Sequence, residues 1–178
     1  VASNGNKADS SFDSDPVFGR SNEIEEIGNF LQSGVRLIIL TGAGGSGKTR
    51  LAQAVAARSL VDFPDGAFFV ELAAIQNPEL VPTVIAQAIG IKEFGESDPI
   101  DHLVAELGSQ RILLILDNFE QLIPAAPMIK EILGTAPMVK ILVTSRIALR
   151  LKNEQEFVVL PLSVPPINST LTSRGLRL

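Results

Sequence analysis

A chain of 178 residues, 46% of them hydrophobic, is long enough to bury one domain-sized core. It contains no cysteine and one histidine, which excludes a disulfide framework, a thiolate metal site and a histidine metal cluster. The net charge of −5 argues against direct nucleic-acid binding by this domain, and no apolar run approaches the roughly 20 residues of a membrane span, so we expect a cytoplasmic protein.

The two ends of the chain differ in composition from its middle. Residues 1–15 are rich in Ser, Asn, Asp and Gly, so a disordered leader or linker is expected there. Residues 164–178 include a Pro-Pro pair and show no hydrophobic periodicity, which predicts a disordered tail or linker. The folded domain is expected to span residues 16–163, and both ends suggest a fragment of a longer protein.

The first predicted element is a helix. Ser21 and the acidic residues at 23–26 are typical of a helix N terminus, and Gly34 is expected to lie beyond its end. Apolar residues follow at helical spacing, namely Ile24, Ile27, Phe30 and Leu31.

A glycine-rich loop follows the first predicted strand. The strand, 35–41, is apolar and β-branched, and the segment 51–60 is composed of helix formers. Between them, residues 42–49 fit the pattern G-x-x-x-x-G-K-[ST], in which backbone amides and a helix N terminus bind phosphate. Lys48 would add a charge for the outer phosphates, and Thr49 a hydroxyl for Mg²⁺. The predicted nucleotide contacts of this loop are Gly42, Ala43, Gly44, Gly45, Ser46, Gly47, Lys48, Thr49 and Arg50.

Downstream of this loop, predicted strands alternate with predicted helices. The strands are 67–72, 111–117, 139–145 and 156–160, and the helices are 77–89, 98–107 and 126–133, with Gly134 beyond the last of them. Alternation of this kind predicts an α/β fold of three αβα layers, with a parallel sheet between two layers of helices. The ligand site is expected at the carboxyl ends of the strands.

Asp117 ends a strand that is otherwise apolar. A carboxylate at this position is expected to bind Mg²⁺ together with Thr49. Asn118 follows where a second acid would activate water, and an amide cannot accept a proton in that way. Glu120 is the nearest carboxylate that could substitute. Because Asn118 cannot activate water, slow hydrolysis is our hypothesis.

Arg146 follows the fourth predicted strand. Its guanidinium would face the outer phosphate and sense its presence, although a surface ion pair with a neighbouring loop is the alternative. No N-K-x-D guanine-reading motif is present, so adenine is the default base while the purine stays open.

Taken in order, these motifs resemble those of STAND-class signalling ATPases, and more narrowly the bacterial AP-ATPase (NB-ARC-like) group of large transcriptional regulators. The residues that carry the resemblance are Val17-Phe18-Gly19-Arg20 with Glu23, the loop 42–49, 113–118 and 144–146. The resemblance covers about residues 16–163. It implies a P-loop NTPase fold whose five-stranded parallel sheet has the order 2-3-4-1-5.

The resemblance also implies roles for individual residues. Val17, Phe18 and Arg20 would border the adenine, while Lys48 and Thr49 would contact phosphate and Mg²⁺. Asp117 would bind Mg²⁺ and Arg146 would sense the γ-phosphate. With Glu120, which comes from the residue pattern and not from the resemblance, the catalytic candidates are Lys48, Asp117, Arg146 and Glu120.

Members of this group resemble switches that are closed with ADP and open with ATP, with nucleotide-dependent oligomers of the full-length protein. Their helical and winged-helix subdomains would follow residue 165, so the parent protein should supply these and its sensor domains. Without them, an open site of weak affinity is expected.

Two alternatives to a switch with slow ATP hydrolysis stay open. One is a P-loop kinase that transfers the γ-phosphate to a small acceptor, although Arg150 and Lys152 alone follow Arg146 where a basic lid would be expected. The other is a fast motor or transporter ATPase. A strand between the first and third strands of the sheet would favour the switch.

Overall fold

The computed structural model describes residues 18–91 and 98–162. The predictions for residues 1–15, Val17 and residues 164–178 lie outside the described residues. In the part described, no helix has both the length and the apolar character needed to cross a membrane.

Helices and strands alternate along the chain as predicted. The helices are α1 (Ser21–Gln32), α2 (Lys48–Ser59), α3 (Val81–Ala88), α4 (Pro99–Leu107) and α5 (Ala126–Thr135). The strands are β1 (Leu37–Thr41), β2 (Ala67–Glu71), β3 (Leu113–Asp117), β4 (Lys140–Thr144) and β5 (Gln155–Val158). All four strand pairs are parallel and their order is β2-β3-β4-β1-β5, which confirms the predicted fold class and strand order.

The sheet has a hydrophobic core on each face. Along β1, Leu37 and Ile39 join the core formed with α3, α4 and α5, whereas Ile38 and Leu40 join the core formed with α1 and α2. Successive side chains of a strand point to opposite faces, so a strand covered on both sides must be apolar throughout. This is why the strands have continuous apolar runs in the sequence, and it confirms the three-layer arrangement.

The two helix starts predicted at 77 and 98 have side-chain caps. The Asn77 side chain accepts a hydrogen bond from the Glu79 N–H at 3.0 Å, and the Asp98 side chain accepts one from the Ile100 N–H at 3.0 Å. A short 3₁₀ turn, Pro78–Leu80, precedes α3. Proline is tolerated at such starts because its missing N–H would have no helical partner there.

Several predicted boundaries differ from the structure by one to four residues; the strands predicted as 35–41 and 111–117, for example, begin at Leu37 and Leu113. Gly134 lies inside α5, which continues to Thr135, because the Ala136 N–H still donates to the Ile132 carbonyl at 2.8 Å and closes the last turn. The last strand, predicted as 156–160, is β5, which ends at Val158. Its partner β1 ends at Thr41, opposite Val158, and after a last bond from the Val159 N–H to the Thr41 carbonyl at 2.7 Å the chain after β1 turns into the glycine-rich loop.

Two cations hold helix ends at the edge of the sheet where β1 and β4 begin. Arg36 donates to the carbonyls of Leu133 at 2.8 Å and Ala136 at 2.7 Å, at the C terminus of α5. Lys140 donates to the Leu31 carbonyl in the last turn of α1. Burial lowers the pKa of Arg36 and, with the neighbouring guanidinium groups, that of Lys140. The cations nevertheless satisfy carbonyls that have no helical partner.

Replacing Arg36 tests this contribution to stability. We expect Arg36→Ala to lower the free energy of unfolding by about 1–3 kcal/mol, because partly buried carbonyls lose a charged donor. Urea denaturation followed by circular dichroism measures the change. Arg58→Ala, at an exposed position of α2, is the matched control and should stay within about 0.5 kcal/mol of the parent chain. Equal losses in the two variants would contradict the assignment.

Candidate functional site

The glycine-rich loop lies at the carboxyl edge of the sheet, between β1 and α2. Gly47 adopts a left-handed conformation with φ of 88° immediately before α2 begins. At Gly42, where φ is 149°, a Cβ would lie 2.4 Å from the Val159 carbonyl oxygen. No residue other than glycine fits there without backbone movement, so the segment after β5 fixes the start of the loop.

Lys48 lies across this loop. Its Nζ donates to the carbonyls of Gly42 and Ala43, at 2.9 Å in each case. Ala43, Gly44, Gly45 and Gly47 are exposed. The ammonium group is therefore held over an open loop whose outer side faces solvent, next to the N terminus of α2, where anions are favoured.

Asp117 joins three elements. Its Oδ1 accepts a hydrogen bond from the Thr49 hydroxyl at 2.8 Å and another from the Thr144 hydroxyl at 2.6 Å. Thr144 also accepts a hydrogen bond from the Asn118 N–H at 2.9 Å. Only 4% of Asp117 is exposed. The carboxylate at the end of β3 is thus held between α2 and β4.

The sequence analysis did not predict Thr144 as a site residue. It appeared there only as part of the motif at residues 144–146. The available signal was a hydroxyl at the carboxyl end of the strand that precedes Arg146. Its contact with Asp117 depends on β3 and β4 being neighbours, which a local pattern does not encode.

The oxygen atoms of Thr49 and Asp117 suit a magnesium ion. Mg²⁺ prefers oxygen ligands, and it usually keeps several water or phosphate ligands. Within residues 18–91 and 98–162, no group of three or more His, Cys, Asp or Glu side chains could hold a metal. A bound ion would therefore need phosphate and water to complete its ligands, as in a nucleotide site.

Arg146 lies against the outer side of the loop. Its Nε is 3.1 Å from Glu120 Oε1, and its side chain is 68% exposed. A Cβ at Gly44 would lie 4.0 Å from Arg146 Nη2. Arg146 thus forms an ion pair with the loop after β3, which was the alternative to the sensor role. It also borders the phosphate loop, where a γ-phosphate sensor would lie.

Arg20 holds the loop from the other side. Its side chain donates to the Ser46 carbonyl at 2.8 Å, to the Leu160 carbonyl at 2.6 Å and to Glu23 at 2.9 Å. Only 4% of Arg20 is exposed. The residue therefore links the start of α1, the loop and the segment after β5, a role that sequence reasoning missed.

The remaining predicted residues differ in their surroundings. Phe18 is 81% exposed next to the turn at Gly19, and Arg50 is exposed on the first turn of α2. Ser46 is buried, and its hydroxyl has no hydrogen-bond partner among the described residues. The structure brings Lys48, Thr49, Asp117, Arg146 and Glu120 together around the loop, and leaves Phe18 and Arg50 at its surface.

A phosphate loop before α2, facing a carboxylate at the end of β3 on a sheet of this order, defines a P-loop NTPase domain. The AAA domain family model matches residues 31–152, more than half of the chain, so the chain belongs to that family.

Bacterial regulators are among the relatives of this chain. The chain is 41% identical over 112 residues to a Mycobacterium tuberculosis protein named as a candidate HTH-type transcriptional regulator, Rv0890c, covering 62% of this chain and 12% of that protein. It is 33% identical over 141 residues to the regulatory protein AfsR of Streptomyces griseus, covering 72% and 14%. The chain thus spans about an eighth of the length of these relatives. They confirm the predicted resemblance to the nucleotide-binding subdomain of large bacterial regulators.

Solved structures support the fold assignment. The ORC2 protein of Aeropyrum pernix, solved as ADPNP-ADP complexes, matches with a TM-score of 0.58 at 15% identity, covering 83% of this chain and 50% of that one. Drosophila ORC bound to DNA matches with a TM-score of 0.61 at 15% identity, covering 80% and 43%. At this identity the likeness concerns the fold alone.

Two loop glycines form a matched test of the geometry. Gly42→Ala would bring a Cβ within 2.4 Å of a backbone oxygen, so we expect it to lower the free energy of unfolding by about 1–3 kcal/mol. Gly44→Ala meets nothing closer than 4.0 Å and should leave stability nearly unchanged. Thermal denaturation of both variants measures the difference. If Gly44→Ala were the more damaging change, the loop conformation described here would be wrong.

Proposed function

We propose that this domain binds ATP and ADP with Mg²⁺ and acts as the nucleotide switch of a larger regulator. The observation that carries the proposal is the placement of Lys48 over an open glycine-rich loop beside the Thr49–Asp117 contact. In the proposal, phosphate oxygens replace the carbonyls of Gly42 and Ala43 as the partners of Lys48. The loop amides from Gly42 to Gly47, together with Thr49 and Arg50, complete the phosphate contacts.

Magnesium has a defined place in this proposal. Thr49 and Asp117 would hold the ion, which would supply positive charge to neutralise the phosphates. Thr144 keeps the Asp117 carboxylate oriented through its 2.6 Å hydrogen bond.

The base would lie beside the segment that precedes α1. Phe18 is an exposed aromatic ring, and Leu160 and Leu162 are exposed apolar residues of the segment after β5. Gly19 lies beside Leu162, since a Cβ there would be 3.6 Å from its side chain. Phe18, Leu160 and Leu162 offer an apolar surface for adenine in this proposal, which also keeps Val17 and Arg20 as neighbours of the base.

Arg146 would report which nucleotide is bound. Its side chain is largely exposed and, among the described ion pairs, is held by the Glu120 carboxylate alone, so few contacts oppose a reorientation. A γ-phosphate next to Gly44 would compete with Glu120 for the guanidinium, whereas ADP would leave the pair intact. A group that interacts differently with ATP and ADP can shift a conformational equilibrium.

The strand order favours the switch over the kinase. Strand β4 lies between β1 and β3, the arrangement stated above as favouring a switch. The regulatory names of the relatives support the same choice. Because the chain spans only a small part of those proteins, the helical, winged-helix and sensor domains, a nucleotide-dependent oligomer and a cytoplasmic location belong to the proposal for the full-length protein.

Hydrolysis is proposed to be slow, below about one turnover per second, near the lower end of ordinary enzyme rates. Asn118 occupies the position after Asp117, in a left-handed conformation with φ of 63°. Asparagine tolerates this conformation better than most residues, but its amide cannot accept the proton of an attacking water.

Nucleotide binding is tested by thermal denaturation with MgATP and MgADP. A nucleotide at about 100 times its dissociation constant stabilises a protein by about 2.7 kcal/mol. At this size the melting temperature should therefore rise by about 5–10 °C. Lys48→Ala and Asp117→Asn should abolish most of the rise, whereas Lys152→Ala, an exposed position outside the site, should keep it. No rise at millimolar nucleotide would reject the proposal.

The sensor role of Arg146 is tested by comparing ATP with ADP. We expect Arg146→Ala to weaken ATP binding by about 3- to 10-fold, as loss of one exposed charged contact would, and to leave ADP binding nearly unchanged. Isothermal titration calorimetry measures both constants. Arg58→Ala is the control, and a parallel loss for both nucleotides would show that Arg146 acts on the loop rather than on the γ-phosphate.

A further inference from the structure

ATP hydrolysis needs a group that accepts a proton from the attacking water. Asn118 cannot do so, and the Glu120 carboxylate lies 3.1 Å from the Arg146 guanidinium, with which it is paired. We propose that Glu71, at the end of β2, is the residue that activates water in this domain. This inference rests on the proposed nucleotide-binding function.

The position of Glu71 in the sheet brings it next to the metal-site carboxylate. Glu71 is the last residue of β2, and in the parallel β2–β3 pair it lies directly opposite Asp117. The pairing continues beyond it, since the Leu72 N–H donates to the Asp117 carbonyl at 3.1 Å. Neighbouring strands lie about 4.8 Å apart, so the two backbones are adjacent at the carboxyl edge.

Both residues lie on the face of the sheet that carries the phosphate loop. In β2, Ala67 and Phe69 pack in the core with α1 and α2, whereas Val70 packs in the opposite core. Alternation therefore puts Glu71 on the α1–α2 face. Asp117 is on the same face, as its hydrogen bond to Thr49 of α2 requires.

Glu71 also differs from the other nearby carboxylates in being unengaged. Glu71 is exposed, and its side chain makes no hydrogen bond or ion pair among the residues that the structure describes. Asp117 is buried and holds two hydroxyls, and Glu120 holds Arg146. Glu71 is thus the carboxylate at this edge that can turn toward the γ-phosphate without breaking a contact.

The reaction step assigned to Glu71 is a proton transfer. The water oxygen forms a bond to the γ-phosphorus while a water proton passes to a Glu71 carboxylate oxygen. The bond between the γ-phosphorus and the bridging oxygen breaks, and that oxygen leaves on ADP with the electron pair. Glu71 then releases its proton to the inorganic phosphate or to solvent. A base on an exposed side chain must be ordered in each turnover, which accounts for a slow reaction.

The test compares Glu71→Gln, Glu71→Asp and Glu120→Gln in single-turnover experiments with MgATP, with hydrolysis scored per bound nucleotide. Loss of a general base should slow hydrolysis by about 10- to 100-fold in Glu71→Gln, toward the rate of MgATP without protein. Glu71→Asp, which keeps the charge on a shorter side chain, should also be slow. Glu131→Gln, an exposed position on α5, should hydrolyse ATP at the parent rate.

Binding provides a second measurement that does not depend on turnover. Removing a negative charge beside the γ-phosphate should raise the affinity for ATP relative to ADP in Glu71→Gln by about 2- to 5-fold at low salt. Glu71→Asp should keep the parent ratio. A melting temperature equal to that of the parent chain shows that the variants are folded.

The outcomes separate this inference from the proposed function. Hydrolysis by Glu71→Gln at the parent rate, or a loss confined to Glu120→Gln, overturns the assignment. A parent chain that binds nucleotide but hydrolyses it no faster than MgATP decays without protein also overturns it, and leaves nucleotide binding standing. A parent chain that binds no nucleotide rejects the proposed function itself.

Discussion

One carboxylate oxygen organises the edge of the sheet where the site lies. Asp117 Oδ1 accepts hydrogen bonds from Thr49 on α2 and Thr144 on β4, although Asp117 is nearly inaccessible to solvent. A buried carboxylate is costly unless its partners replace the lost water, and these hydroxyls are two of those partners. The helix that follows the phosphate loop is thereby held against two strands, and the two residues of the proposed magnesium site are held together.

The loop itself takes its shape from segments that are distant in sequence. Val159 leaves no room for a side chain at Gly42, and Arg20 donates to the Ser46 carbonyl and to the Leu160 carbonyl. The start of α1 and the segment after β5 therefore support the loop from behind. This arrangement leaves the solvent side of the loop open, with Lys48 above it, and in the proposed switch it connects the nucleotide to both ends of the domain.

In the proposed chemistry, metal binding and proton acceptance belong to residues on two different strands and not to neighbouring residues in the sequence. Asp117 would hold the metal, while the position after it is an asparagine in a left-handed conformation, and the proton-accepting role falls to Glu71 on the neighbouring strand. Glu120 and Arg146 neutralise each other across the outer side of the loop, so that a γ-phosphate would change their pairing. Slow hydrolysis with a nucleotide-sensitive ion pair suits a switch, because the ATP-bound state then persists.

The sequence by itself determined the elements and the phosphate loop. Continuous apolar runs predicted strands covered on both faces, Asn77 and Asp98 predicted helix starts, and the spacing of the glycines before Lys48 predicted the loop, because each of these signals is local. Tertiary structure alone decided that Arg20 supports the loop, that Thr144 orients Asp117, that Arg146 pairs with Glu120 and that Glu71 lies opposite Asp117. It also decided where β5 ends. These contacts join residues 26 to 140 positions apart or depend on strand order and register, which the periodicity of a single segment does not specify.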